Sequence, residues 1–196
     1  MVYICAYFSD WSHDLAKAQF DKLDMSCRKL RLKPGERLLD IGCGWGALIC
    51  HAAKHYGVHA HGVTLSQEQY DYAVKRIASK GLGDLVSVEL IDYQDVKGKF
   101  DKISSIGMYE HIGIAALPDY MSKVRSLLKP DGLFLNHGIT RRAKRKATRF
   151  ADRPEQRALV RYIFPGGELD DIGHTLQELE RAGFEVHDVE GWREHY

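Results

Sequence analysis

Short apolar runs alternate along the chain with longer stretches whose apolar positions recur at helical spacing. Strands buried on both faces read as continuous apolar runs, so this alternation predicts a parallel sheet whose strands are joined by helices. Arg37-Leu38-Leu39-Asp40-Ile41 is the first such strand and closes on glycines. Residues 47–56 follow as a helix with Leu48, Ile49, Ala52 and Ala53 on one face, and residues 58–65 as a second strand. Ser66 is a good N-cap side chain with Gln69 three residues on, which predicts a helix over residues 67–80.

Further strands are predicted at residues 86–91 and 100–108, and a helix at 117–128. That helix stops before Pro130-Asp131-Gly132, a turn with fixed geometry at its proline. A fifth strand is expected over 133–140, a helix over 170–182 ended by Gly183, and a sixth strand over 185–189. The order β-α-β-α-β-β-α-β, with one irregular insertion before the last helix, indicates a doubly wound α/β fold. With no internal repeat and no dividing linker, residues 1–196 read as a single domain. Its parts are an N-terminal segment and helix (1–36), the sheet core (37–140), the insertion (141–169), and a last helix and strand (170–196).

Composition narrows the picture. Of 196 residues, 44% are hydrophobic and 28% charged, which excludes a disordered, collagen-like or disulfide-scaffold protein. Lys+Arg 28 against Asp+Glu 27 gives a net charge of +1, so a globally basic nucleic-acid binder is excluded. No apolar run approaches the ~18 residues of a spanning helix, and Met1-Val2-Tyr3-Ile4 lacks a signal peptide's charged and apolar regions. Cys5, Cys27, Cys43 and Cys50 show neither C-x-x-C nor zinc spacing and read as buried, reduced thiols of a cytoplasmic protein.

The strongest local signal is Leu39-Asp40-Ile41-Gly42-Cys43-Gly44-Trp45-Gly46, a strand running into glycines and then a helix. Glycine lets a ligand approach the backbone, and the helix N-terminus beyond offers unpaired N–H groups. The spacing Gly42-x-Gly44-x-x-Ala47 also fits a loose dinucleotide fingerprint, so the glycines alone do not choose the ligand. Two features favour S-adenosylmethionine (SAM) over a nicotinamide cofactor. The second strand ends Gly62-Val63-Thr64-Leu65, without the acidic residue a dinucleotide ribose needs, and Asp40 stands where a carboxylate would meet a cationic ligand.

Six segments together resemble the cyclopropane-fatty-acyl-phospholipid synthase and mycolic acid cyclopropane synthase family of SAM-dependent methyltransferases. They are Tyr3-Ile4-Cys5-Ala6-Tyr7-Phe8, the turn from Leu39 to Gly46, and Gly62-Val63-Thr64-Leu65-Ser66-Gln67-Glu68-Gln69. The others are Met108-Tyr109-Glu110-His111-Ile112-Gly113, Asn136-His137-Gly138-Ile139-Thr140, and Tyr162-Ile163-Phe164-Pro165-Gly166-Gly167-Glu168-Leu169. The resemblance implies a Rossmann-like class I methyltransferase with a mostly parallel sheet. It implies methyl transfer from SAM to the double bond of an unsaturated phospholipid acyl chain, with the resulting carbocation deprotonated by a bound bicarbonate. The bicarbonate ligands it carries over are Cys5, His137 and Ile139 through their backbones, together with Glu110 and Tyr196. The SAM contacts map to Tyr3, Gly42, Gly44, Gly46, Thr64, Leu65, Gln69, Tyr93 and Gln94.

Family members carry further N-terminal helices, and beyond Tyr196 more helices, a final strand between the fifth and sixth, and a cysteine. The sequence therefore reads as truncated at both ends, its final strand missing and its open sheet edges suited to cover by a homo-oligomer. Ile4 stands where the family commonly has serine. Arg141, Arg142, Lys144, Arg145, Lys146 and Arg149 form a basic cluster beside Phe150 that suits anionic head groups at the inner membrane face. Two other readings keep the fold: a non-catalytic SAM-binding remnant, and a methyltransferase acting on a small amine. A nicotinamide dehydrogenase and a nucleic-acid methyltransferase lack the residues they need, and no metal site is expected.

Overall fold

The computed structural model describes residues 5–143, 158, 161–162 and 167–196. Five strands form one sheet: β1 (Arg37–Ile41), β2 (His59–Thr64), β3 (Val86–Leu90), β4 (Phe100–Ile106) and β5 (Leu128–His137), in the order β3-β2-β1-β4-β5. β1 pairs in parallel with both β2 and β4, and β2 in parallel with β3. This is the doubly wound order, in which the chain builds outward from β1 on one side and then reverses to the other. Ligands of such sheets bind beyond the strand ends at that reversal, which here is the glycine turn after β1.

β1 is central because it is the most apolar strand. Leu38, Leu39 and Ile41 are fully buried, each contributing about 1.5–3 kcal/mol relative to an exposed side chain. Between β1 and β2 runs α2 (Ala47–Tyr56), which buries Leu48, Ile49, Ala52 and Ala53, the predicted face, together with Cys50 and His51. The core continues through Cys27 of α1 (Leu15–Lys29), Val58, Ala60, Val86 and Ile77 of α3 (Gln67–Ser79). α3 starts as its sequence predicts, with the Ser66 hydroxyl accepting from the Gln69 backbone N–H.

Three further α-helices are α4 (Tyr109–Ile112), α5 (Leu117–Leu127) and α6 (Ile172–Arg181), with short 3₁₀ turns at Tyr93–Asp95, Ile114–Ala116 and Arg193–His195. α6 is capped by the Asp171 side chain and is followed by Gly183 at φ +84°, where glycine relieves the strain of a left-handed turn.

Contacts divide the chain into two compact units. The first comprises Met1–Ile106, Leu127–Asn136 and Val189–Tyr196; the second comprises Gly107–Ser126 and His137–Asp188. The sheet belongs to the first and α6 to the second.

The structure corrects two sequence expectations. The fifth strand begins at Leu128, so Pro130-Asp131-Gly132 lies inside its range, with Asp131 at φ +59°. β5 is at the edge of the sheet, where a proline's missing N–H and a local kink are tolerated. The sixth strand, residues 185–189, does not form. An extended segment becomes a strand only where a neighbour supplies its ladder, and no described strand pairs with it. No helix among the described residues is long and apolar enough to cross a membrane.

Candidate active site

The glycine turn is shaped by backbone angles that favour glycine and by close packing on its neighbours. Gly42, Gly44 and Gly46 all have positive φ, at 71°, 53° and 70°. A Cβ on Gly46 would also stand 3.1 Å from the Ala73 Cβ, and one on Gly62 of β2 would stand 2.8 Å from both Cβ and Sγ of Cys43. Gly62 thus lets the turn lie against β2, where the Cys43 N–H donates to the Val63 carbonyl at 3.0 Å. Beyond the turn, α2 starts at Gly46 without a side-chain cap, so no capping side chain meets its first N–H groups.

Asp40, two residues before Gly42, is buried between Gly62 and Ser104 in the strand register. The Ser104 hydroxyl donates to Asp40 Oδ1 at 2.7 Å. Burial pushes the Asp40 carboxyl up from 3.8 to about 7, only partly opposed by that hydrogen bond. A carboxylate held at this cost is poised for a cationic partner.

At the end of β2 the Thr64 hydroxyl donates to Gln69 Oε1 at 2.8 Å and accepts from the Ser66 N–H at 3.2 Å. Thr64 is buried, Gln69 partly so, and Leu65 projects to solvent. Tyr93 and Gln94 lie in a short 3₁₀ turn, Tyr93–Asp95, capped by Asp92, whose carboxylate accepts from the Gln94 N–H at 2.8 Å. These residues and Asp40 all belong to the first unit. Tyr3 lies outside the described residues, as do Ile4, Lys144, Arg145, Lys146, Arg149 and Phe150 of the basic cluster.

In the second unit, Glu110 of α4 is 2% exposed. Its Oε1 accepts the Ile139 N–H at 2.7 Å, and its Oε2 is buried with no hydrogen-bond partner among the described residues. Such a group is costly to bury unless something completes it, so the free oxygen marks a place for a proton or a polar ligand. His137 closes β5 with its carbonyl accepting the Gly107 N–H at 2.9 Å, and the Ile139 side chain is exposed. The structure therefore brings Glu110 and Ile139 together directly.

Cys5 and Tyr196 belong to the first unit, and the segments carrying them are docked on each other. The Tyr7 and His195 rings stack at 4.2 Å, Trp192 meets Tyr7 edge-on at 5.3 Å, and the Phe8 N–H donates to the His195 carbonyl at 2.8 Å. Cys5 itself is exposed, in contrast to the buried thiol expected, while Cys27, Cys43 and Cys50 are buried; all four are free thiols.

The residues match the model of the mycolic acid cyclopropane synthetase family over residues 1–196. The chain belongs to that family. It is 44% identical over its whole length to a probable fatty acid methyltransferase of Pseudomonas putida, covering 50% of that protein. It is 42% identical to the cyclopropane-fatty-acyl-phospholipid synthase of Escherichia coli K12, over 92% of this chain and 44% of that one. Among solved structures, the mycolic acid cyclopropane synthase CmaA1 complexed with SAH and CTAB superposes with a TM-score of 0.89 at 32% identity, over 99% of this chain and 70% of that one. The chain spans about half the length of the curated family relatives it matches.

Several residues that shape the candidate site had no role assigned to them from the sequence, Gly62 and Tyr109 entering only as members of matching segments. Ser104 interrupts an apolar strand, and Gly62 sits inside one; both were signals of a polar partner and of a close backbone approach. Tyr109, Asp170 and Thr175 gave no such local signal.

Proposed function

We propose that this chain is the SAM-binding, acid–base portion of a methyltransferase of the cyclopropane-fatty-acyl-phospholipid synthase type, acting on the double bond of an unsaturated phospholipid acyl chain. The observation that carries the reading is the buried Glu110 carboxylate, with one oxygen held by Ile139 and the other free. SAM fits the residues present, because Asp40 is a buried carboxyl group beside a turn whose three glycines all have positive φ. Asp40 and the open start of α2 would meet its charged ends, and Thr64, Leu65, Gln69, Tyr93 and Gln94 its nucleoside.

Bound SAM would supply an electrophilic methyl group, and adding it to an alkene leaves a positive charge and a proton to be removed. Among the described residues, Glu110 Oε2 is suited to take that proton. It is excluded from water, and its carboxylate is kept in one orientation by the Ile139 N–H. A bicarbonate there would share its proton with Oε2, since the Ile139 N–H is already engaged by Oε1. The Met108–Gly113 and Asn136–Thr140 motifs, which lie on either side of this contact, support the lipid reading over the others. On the same proposal the protein works in the cytoplasm, at the inner membrane face.

The test is incubation with methyl-labelled SAM and vesicles of unsaturated or fully saturated phosphatidylethanolamine, followed by lipid extraction. Label in the unsaturated lipid alone supports the reading, provided Glu110→Gln abolishes it. SAM binding without label in any lipid would leave a non-catalytic binder, and label in an added soluble amine would move the acceptor to nitrogen.

A further inference from the structure

We propose that Tyr109 is a positioning residue: through α6 and Gly138 it fixes the Ile139 N–H that orients the Glu110 carboxylate. The inference deepens the reading of Glu110 as the acid–base group and rests on it.

Tyr109 immediately precedes Glu110 and is 4% exposed. Its hydroxyl lies 2.5 Å from Thr175 Oγ1 and 3.3 Å from Asp170 Oδ2. Thr175 donates to the Asp171 carbonyl at 3.0 Å, so the single Tyr109 proton is left for Thr175 or Asp170. Asp170 is itself held from several sides. Its Oδ2 is 2.5 Å from His174 Nδ1, its Oδ1 accepts the Asp171 N–H at 2.8 Å, and its carbonyl accepts the Arg141 N–H at 2.9 Å. One end of Tyr109 is therefore anchored to the start of α6.

The other end touches the Glu110 site. Gly138 packs so closely on the Tyr109 side chain that a Cβ there would be 2.9 Å from the tyrosine Cβ and 3.0 Å from Cδ1. The next residue, Ile139, supplies the N–H at 2.7 Å from Glu110 Oε1. The Glu168 N–H closes the frame by donating to the Glu110 carbonyl at 3.2 Å. Glu110 Oε2 is buried without a hydrogen-bond partner among the described residues, and the frame sets where that oxygen points. A phenylalanine would fill the same space and keep the ring on Gly138, but would lose the anchor.

The test reads the Ile139 amide directly, by hydrogen exchange in isoleucine-labelled protein, for the parent chain, Tyr109→Phe, Thr175→Val and Thr175→Ser. Losing one anchoring hydrogen bond is expected to speed Ile139 exchange about tenfold in Tyr109→Phe and Thr175→Val, while Thr175→Ser stays close to the parent. The Ile41 amide, in the other unit, should not change. Unaltered Ile139 exchange in Tyr109→Phe, or equal acceleration at Ile41, overturns the proposal, the latter because it would mark a general loss of stability. In lipid turnover, Tyr109→Phe should lower kcat and leave the KM for SAM unchanged, whereas a raised KM with unchanged kcat contradicts positioning. If the parent chain transfers nothing to lipid, the functional reading falls while the exchange result still decides the role of Tyr109.

Discussion

Asp40→Asn separates what the fold needs from what the ligand needs. The carboxyl is buried and pushed from 3.8 to about 7, and each unit is worth about 1.4 kcal/mol, so its ionisation costs the ligand-free fold about 4 kcal/mol. Between those two values the folded chain binds more protons than the unfolded one. Stability therefore falls as pH rises through the window, and the loss is complete above about pH 7. Asparagine keeps an acceptor for Ser104 and cannot ionise, but it brings an NH₂ group whose burial without partners costs about 1–3 kcal/mol. The expected result at about pH 8 is a variant more stable by about 1–3 kcal/mol, with the gap narrowing or reversing near pH 4, where both side chains are neutral. Urea denaturation across this range reads the gap. SAM binding should respond in the opposite sense, weakening in the variant because its positive charge loses the buried carboxylate. Calorimetry in two buffers of different ionisation enthalpy, at about pH 6, should find a proton released on binding to the parent and none to Asp40→Asn. A pH dependence of stability that is the same in parent and variant would refute the burial argument, and SAM affinity unchanged by the substitution would refute the assignment of the ligand's charge to Asp40.

Gly62→Ala should force the glycine turn off β2, since a Cβ there would stand 2.8 Å from Cys43 Cβ and Sγ and 2.9 Å from Ile49 Cδ1, and something must shift. A stability loss of about 1–3 kcal/mol and weakened SAM binding are expected in denaturation and calorimetry, and normal affinity would count against the cradle. Gly138→Ala meets the Tyr109 side chain at 2.9 Å and should speed Ile139 amide exchange while leaving SAM affinity unchanged, because its contacts lie in the other unit. His51 is held below its usual 6.5, at about 4, chiefly by burial and next by His55. Its contribution to stability is present above about pH 6.5 and is lost as pH falls toward 4, so His51→Gln should flatten the acid limb of a melting-temperature profile.

The parts of this molecule legible in the sequence are those whose cause is local. β1 could be read because Leu38, Leu39 and Ile41 crowd a five-residue run that Asp40 alone interrupts before the glycines, and α3 because Ser66 and Gln69 stand at cap spacing. The turn between them was legible through glycines that its backbone angles require. The expected strand at residues 185–189 failed for the complementary reason: its apolar spacing is local, but a ladder partner is not, and none among the described strands reaches it. The same distinction divides the site. Asp40 was visible by its place before Gly42, yet its raised pKa depends on burial and on Ser104 of a strand far along the chain. Glu110 was visible as part of a family motif, but its two oxygens differ only because Ile139 arrives from the end of β5. Tyr109 was read as a motif residue and nothing more, since Thr175 and Asp170 meet it only after α6 has folded. Sequence thus marked the groups proposed for the chemistry, while the groups that hold them in place came from contacts between distant segments, which no spacing along the chain encodes. Residues of the second kind should show the signature argued for Tyr109, a loss of rate without loss of ligand affinity.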